Sequence, residues 1–228
     1  LHQPARERIY REIRDSANEI IKRKGATYYG IAMAVGRIAE CVVKGEHAVL
    51  PISVVAGLLL FGYSSLLTFL TPYATEIGLA RAASVFFVVY ALAMFATRPF
   101  TGRAFDRVGP HPVMVPAFVS FVLGMVVLAL ASNDWMVLGA AALLGFGVGT
   151  VQSCGLAMAV RATPDARLAL ANSTFYILLD LGVGVGPLIL GALVPLIGYR
   201  FMYASMAGLV LAAMAVFLGI TRRRAPAP

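Results

Sequence analysis

The sequence predicts an all-α membrane protein, in which a bundle of six transmembrane helices follows two short amphipathic helices. Only 13% of the 228 residues are charged and 60% are hydrophobic, whereas about a quarter of the residues in a soluble domain are charged. Every lysine lies before position 51, and long apolar runs with short polar breaks follow. We therefore expect a cytoplasmic region at 1–50 and a transmembrane domain at 51–228.

The first region has apolar residues at helical spacing among charged ones. Isoleucines recur on one face between positions 6 and 24, and Gly25 ends the pattern. Thr27 stands where it can cap a second helix at about 28–44. A strand-like segment at 48–55 follows this pair of helices.

The second region contains six apolar stretches, at about 52–72, 82–99, 112–131, 134–160, 168–195 and 200–220. Each is close to or above the roughly 20 residues that span a 30 Å hydrocarbon core as a helix. Arginine is concentrated on one side of the predicted membrane. The connections on the other side contain only Arg81 and Arg200. The connections on the richer side, together with the tail, contain Arg98, Arg103, Arg107, Arg161, Arg167, Arg222, Arg223 and Arg224. The positive-inside rule then predicts a multi-pass protein of the cell membrane, taken to be a bacterial inner membrane, with both termini cytoplasmic.

The remaining composition excludes several classes of function. The net charge of +8 is explained by basic flanks of apolar spans, and no aromatic-basic stripe accompanies it, so we expect no nucleic-acid partner. Cys41 and Cys154 lie in unrelated contexts, so we expect no disulfide, metal site or cofactor. The chain begins at Leu1 with polar residues and no signal-peptide core, so we expect a fragment.

The run IYREIRDSANEIIKRKGATYYGIAMAVGRIAECVVKGEHAVLPISV resembles the C-terminal region of L-lactate dehydrogenases over about the first 55 residues. The resemblance implies that Thr27, after the Gly-Ala pair, is a remnant of the substrate pocket, although a helix N-cap is an equally good interpretation. The glycine-rich dinucleotide turn, the proton relay and the substrate-binding arginines of that family belong to parts of the fold absent here. We expect no hydride transfer by this chain.

Between the second and third stretches, RPFTGRAFDRVGPHP resembles the signature loop of the major facilitator superfamily. The match comprises Gly102, Arg103, Asp106, Arg107 and Gly109, although Pro110 and His111 stand where the family usually has a basic pair. We expect these residues in a tight cytoplasmic turn, where the glycines allow close approach and Asp106 bonds nearby arginines to latch one conformation. The alternative is a solvated basic loop that only sets topology.

The fifth stretch contains LLDLGVGVGPLILG, which predicts a helix break and close helix packing. The packing motif comprises Gly182, Gly184, Gly186, Pro187 and Gly191, and it resembles a glycine-proline pattern of exporters in the same superfamily. Asp180 stands well inside this stretch, so we expect its side chain to face the bundle interior, as a proton-coupling or substrate-binding group or as a polar staple between helices. Four further polar residues, each also interpretable as a helix-helix hydrogen bond, are candidates for lining a pathway: Gln152, Asn172, Tyr63 and Tyr90.

Over about 50–228 the resemblance implies the C-terminal six-helix half of a twelve-helix secondary transporter, with a solute site between the two halves. The predicted function is transport of a small solute, linked to protons, through a lipid bilayer. A complementary six-helix half, or a homodimer formed through exposed Gly182 and Gly186, would supply the second wall. The alternatives are an inactive dehydrogenase-like fragment and a membrane protein that binds a partner without transporting.

Overall fold

The computed structural model describes residues 49–164 and 167–222, and these form five helices with no strand among them. The helices are α1 (Val49–Glu76), α2 (Ala80–Val108), α3 (His111–Ala129), α4 (Asp134–Arg161) and α5 (Leu168–Arg222). All five are long and apolar enough to cross a membrane. The predicted amphipathic helices at 6–24 and 28–44, and Thr27 between them, lie outside the described residues.

Helix α5 contains two of the six predicted spans. A straight helix of its 55 residues would be about 80 Å long, more than twice the thickness of the hydrocarbon core. The helix is interrupted at Gly198, whose φ of 75° and ψ of 165° lie in a region that glycine alone occupies readily. The prediction of a break near Pro187 was wrong, because the helix continues through Pro187 and Pro195 and a proline removes only one backbone donor.

The two arms of α5, at 168–197 and 199–222, run in opposite directions. In the first arm, Gly57 packs beside Leu178 and Phe69 lies near Gly191, so the residue numbers of α1 and this arm rise together. In the second arm, Tyr203 donates a hydrogen bond to the carbonyl of Ser65, and residues further along pack earlier in α1. The six helical segments therefore alternate in direction, as the six predicted spans require.

Alternation places the start of α1 and the end of α5 at the same end of the bundle. This end, called the basic end below, also contains the turn from α2 to α3 and the connection from α4 to α5. Tyr73, at the opposite end, donates a 2.8 Å hydrogen bond to the carbonyl of Leu128 and so joins α1 to α3.

The prediction of a strand-like segment at 48–55 was wrong, because α1 begins at Val49. A strand needs a neighbouring strand for its backbone hydrogen bonds, whereas a helix satisfies them within the segment. The apolar residues of this stretch continue without a break into the first span, and Val55 and Ala56 are buried in the bundle. The local β-propensity was therefore overridden by the span that follows.

Candidate functional site

Four of the five signature residues lie on a helix, and only Gly109 lies in the turn, which corrects the predicted loop. Helix α2 continues through Asp106 and Arg107 and ends at Val108. The turn to α3 takes only Gly109 and Pro110, and Gly109 has a φ of 84°. Pro99 inside α2 does not end the helix, so the residues after it extend the helix beyond the predicted span.

Asp106 forms an ion pair with Arg161, in the last turn of α4. The prediction assigned the carboxylate to nearby arginines, but its partner comes from a helix two segments further along the chain. The guanidinium carbon of Arg161 also lies 4.9 Å from the centre of the Phe105 ring. The pair joins the ends of α2 and α4 at the basic end, and 65% of the Asp106 side chain and 60% of the Arg161 side chain are exposed.

The glycine at the start of the motif does not bring helices together within this unit. A side chain built on Gly102 would meet nothing within 4 Å. Gly102, Arg103 and Arg107 are all exposed. The expected close approach at this position is therefore absent from the described part of the chain.

Close packing occurs instead between α1 and the first arm of α5. A Cβ atom at Gly57 would lie 2.7 Å from the carbonyl oxygen of Leu178. A Cβ atom at Gly182 would lie 3.1 Å from the backbone nitrogen of Phe61, and it would lie closer still to the carbonyl oxygen of Gly57. Gly186 is buried against Ser64. The prediction that Gly182 and Gly186 are exposed for self-association was wrong, because both are occupied by α1.

A second set of packing glycines, which the sequence interpretation missed, lies in α4. A Cβ at Gly149 would lie 2.7 Å from Met94, and Gly145 packs against the backbone of Tyr90, so both face α2. Gly147 faces α3, where a Cβ would lie 2.9 Å from the carbonyl oxygen of Ala117. The i, i+4 spacing of Gly145 and Gly149 was the signal that could have identified this face.

Asp180 lies on the exposed surface of the six-helix unit. The expectation that it faces the interior of this bundle was wrong, since Gly182 and Gly186 take the positions that face α1. Within residues 49–164 and 167–222 the carboxylate makes no hydrogen bond or ion pair. Gly184, one turn further along the same face, has nothing within 4 Å of a built side chain.

Asn172 is also exposed, two turns before Asp180 on α5. Ser173 and Tyr176 are exposed beside it, so one side of the first arm carries consecutive polar groups. We call the exposed surface formed by Ser173, Asp180, Gly184 and Gly191 the Asp180 face.

The other pathway candidates lie elsewhere and do not form one pocket with Asp180. The rings of Tyr63 and Tyr90 stack with centres 5.6 Å apart and pack α1 against α2. Tyr90 is buried, and Tyr63 and Gln152 are half-buried. The structure therefore brings Tyr63 and Tyr90 into contact, while Asn172 and Asp180 are both exposed on the first arm of α5.

An open groove of about 310 Å³ runs between α1 and α5, and its lining is apolar. Leu178, Leu181 and Val185 form its α5 wall. These side chains lie on a different side of the helix from Asp180, so the groove and the carboxylate are separate features. The described residues contain no group of three His, Cys, Asp or Glu side chains that could hold a metal ion.

Comparison with known proteins divides the chain in two. Residues 52–228 match the family described as Major Facilitator Superfamily, and residues 1–84 match the one described as lactate/malate dehydrogenase, alpha/beta C-terminal domain. The L-lactate dehydrogenase of Lacticaseibacillus casei is 53% identical over 47 residues, which are 21% of this chain and 14% of that protein. The L-lactate dehydrogenase of Shouchella clausii is 56% identical over 45 residues, which are 20% of this chain and 14% of that protein. L-lactate dehydrogenase 1 of Listeria monocytogenes serovar 1/2a is 48% identical over 52 residues, which are 23% of this chain and 17% of that protein.

The chain therefore spans about a sixth or less of the length of these relatives. Their aligned segments of 45–52 residues are shorter than the 1–84 match to the dehydrogenase family. The two family matches overlap at 52–84, where the structure has α1 and the start of α2. The dehydrogenase-like part is thus a short segment joined to a membrane domain.

Proposed function

Because the chain belongs to the major facilitator superfamily, a family of transporters, we propose that it carries a small solute across a membrane and that proton movement is linked to this transport through Asp180. The six helical segments supply one wall of the solute pathway. The observation that carries the proposal is the Asp180 carboxylate, which is exposed on a membrane-spanning helix and has no hydrogen bond or ion pair among the described residues.

A carboxylate at this position is unfavourable in lipid. Asp180 is about twelve residues into α5, roughly 18 Å from the start of the helix at 1.5 Å per residue. A charged side chain at the centre of a spanning helix costs at least about 2.5 kcal/mol on insertion scales. An ionised carboxylate at this depth needs water or a partner, and we propose that a bound proton is the alternative.

We propose that the basic end faces the cytoplasm. The basic end contains Arg103, Arg107, Arg161 and Arg167, whereas the opposite end contains Arg81 and Arg200. The charge asymmetry follows the positive-inside rule. Both ends of the six-helix unit then lie on the cytoplasmic side.

The Asp106–Arg161 pair is proposed to favour one arrangement of the cytoplasmic ends of α2 and α4. The pair is exposed, so it contributes only about 0.2–1 kcal/mol. A contribution of this size biases a two-state equilibrium by up to about fivefold without preventing exchange. This is the range suited to a latch that must open in every cycle.

The proton-binding role can be tested before the solute is known. Dicyclohexylcarbodiimide is lipid-soluble and adds to protonated carboxylic acids. We expect the adduct on Asp180, measured by peptide mass spectrometry in proteoliposomes, to decrease as the pH rises. Asp134, exposed at the start of α4, is the control carboxylate and should acquire little adduct. Labelling of Asp180 that is independent of pH would contradict the proposal.

Coupling is tested with a solute panel in inside-out vesicles. Addition of a transported solute should change the internal pH with wild-type protein and not with Asp180→Asn, while Asp134→Asn should behave as wild type. Equal responses from the Asp180→Asn and wild-type proteins would contradict a proton-coupling role for Asp180. If a solute changes the internal pH equally in vesicles with wild-type and Asp180→Asn protein, the coupling role of Asp180 is lost and the transport assignment is kept.

We propose no catalytic role for the dehydrogenase-like segment. Its match to L-lactate dehydrogenases covers 47 residues and 14% of the Lacticaseibacillus casei protein. A Rossmann site needs a strand, a glycine turn and a helix to hold the pyrophosphate. The sequence of the segment contains no such glycine turn.

A further inference from the structure

Two exposed side chains of opposite charge on the six-helix unit have no ion-pair partner among the described residues. Asp180 on α5 and Arg98 on α2 are both exposed, and neither forms an ion pair within the described ranges. Helices α2 and α5 are the least buried of the five and do not touch each other. The two charges therefore cannot meet within one copy of the unit.

The depth of Asp180 in the bundle follows from the contacts of α4. The ring of Phe175 lies 3.3 Å from a side chain built on Gly155. The first arm of α5 is antiparallel to α4, so five residues further along α5 correspond to five residues back along α4. Asp180 is therefore level with Thr150.

The depth of Arg98 follows from the parallel packing of α2 and α4. Gly149 packs against Met94, so Thr150 is level with Phe95. Arg98 lies three residues beyond Phe95, or about 4.5 Å nearer the basic end. Asp180 and Arg98 thus differ in depth by less than one helical turn.

The directions of the side chains close this difference. A Cα–Cβ bond in a helix tilts toward the N-terminus of that helix. The first arm of α5 begins at the basic end, so Asp180 leans toward that end. Helix α2 ends there, so Arg98 leans away from it and toward the depth of Asp180.

We propose that a second copy of this chain docks on the unit, with a two-fold axis along the membrane normal, so that Asp180 of each copy pairs with Arg98 of the other. Such an axis preserves depth, and a two-fold interface repeats every contact twice. The interface therefore contains two reciprocal ion pairs and leaves neither charge in lipid. It also places two six-helix units face to face.

Residues on the two helices fit this register. At the depths fixed above, Gly184 meets Ala91 and Ser173 meets Gly102 across the antiparallel interface. These four residues are small and exposed, and Gly184 and Gly102 have nothing within 4 Å of a built side chain. Small residues on facing membrane helices allow their backbones to approach. The exposed pair Gly191 and Ser84 continues the same register.

The dimer goes beyond the transport assignment, because it requires only helix packing and charge pairing. It replaces the expected contact through Gly182 and Gly186, which α1 already occupies. The choice of a second copy rests on charge complementarity, since the same chain carries both members of the pair at one depth.

Disulfide cross-linking tests the register in the full chain. In a Cys41→Ser, Cys154→Ala background reconstituted in liposomes, Ala91→Cys with Gly184→Cys should give a band of twice the monomer mass after mild oxidation. The matched control is Leu92→Cys with Leu181→Cys, where both sites are exposed at similar depth but each lies one residue, about 100° of helix rotation, from the proposed interface. Equal cross-linking of the two pairs would overturn the proposal.

Charge exchange tests the ion pairs. Asp180→Arg and Arg98→Asp should each weaken dimerisation about tenfold or more, because every substitution acts twice in a symmetric interface. The double exchange should restore it, and this recovery also shows that the variants fold. The readout is energy transfer between donor- and acceptor-labelled copies as the protein-to-lipid ratio is varied. Failure of the double exchange to recover, or a monomer at every ratio, would overturn the proposal.

Discussion

Replacement of Gly182 by alanine should separate α1 from the first arm of α5 and lower stability. The added Cβ would overlap the carbonyl oxygen of Gly57 and lie 3.1 Å from the nitrogen of Phe61. Both atoms belong to the backbone, so no side-chain rotation can relieve the contact and the helices must move apart.

The magnitude follows from two opposing effects. Overpacking in a close-packed interior costs about 1–3 kcal/mol, and a backbone clash belongs in the upper part of this range. Alanine is favoured over glycine within a helix by about 1 kcal/mol. We therefore expect Gly182→Ala to be destabilised by about 1–2 kcal/mol.

The matched control is Gly208→Ala, in the second arm of the same helix. Gly208 is exposed and has nothing within 4 Å of a built side chain. This substitution has only the helix-propensity gain of up to about 1 kcal/mol. The two variants then differ by about 1–3 kcal/mol, and at roughly 2–4 °C per kcal/mol for a chain of this size they should melt about 2–12 °C apart.

A thiol-reactive fluorogenic dye provides the assay. Cys154 is only 3% exposed, so it reacts when the bundle opens, and Cys41→Ser removes the other thiol. Melting is followed in detergent for the parent and both variants. A Gly182→Ala protein that melts as high as Gly208→Ala would refute the close packing between α1 and α5.

Three further predictions concern the ends of the helices and the activity of the whole chain. In a denaturation series, Asp106→Asn and Arg161→Gln should each lower the free energy of unfolding by less than about 1 kcal/mol, and added salt should shrink this loss. The double variant should lose no more than either single variant, and additive losses would indicate that the two residues do not interact. A cysteine at position 133 should react with an impermeant reagent outside intact cells and one at 165 should not, and the reverse pattern would invert the topology. Purified chain should show no lactate dehydrogenase turnover with pyruvate and NADH, and proton-driven flux in liposomes should require a homodimer or a complementary half; flux from a demonstrated monomer would contradict this mechanism.

Much of the membrane fold could be predicted from the sequence because lipid imposes length and composition on every span. The six apolar stretches correspond to the six helical segments, and the overall all-α bundle is confirmed. The boundaries were less accurate. The end of α2 extends to Val108, and the last two spans join through Gly198 without a loop.

The candidate site was harder to predict, because residue type does not reveal which side of a helix is covered. The sequence interpretation selected Gly182 and Gly186 correctly as packing residues but assigned them to a partner outside the unit. It selected Asp180 as the charge at membrane depth but placed it in the bundle interior. The roles of Asp180 and the other pathway candidates remain predictions.

The sequence by itself determined the spans, their alternation and the concentration of arginine at one end, because each depends on hydrophobic length and charge along the chain. Only the tertiary structure decided the partner of Asp106 and the direction in which Asp180 points. The partner is Arg161, 55 residues away, because α2 and α4 run parallel and end together. The direction of Asp180 follows from the glycines that bind the opposite side of α5 to α1, since a helix rotates about 100° per residue and the packed face determines the exposed one.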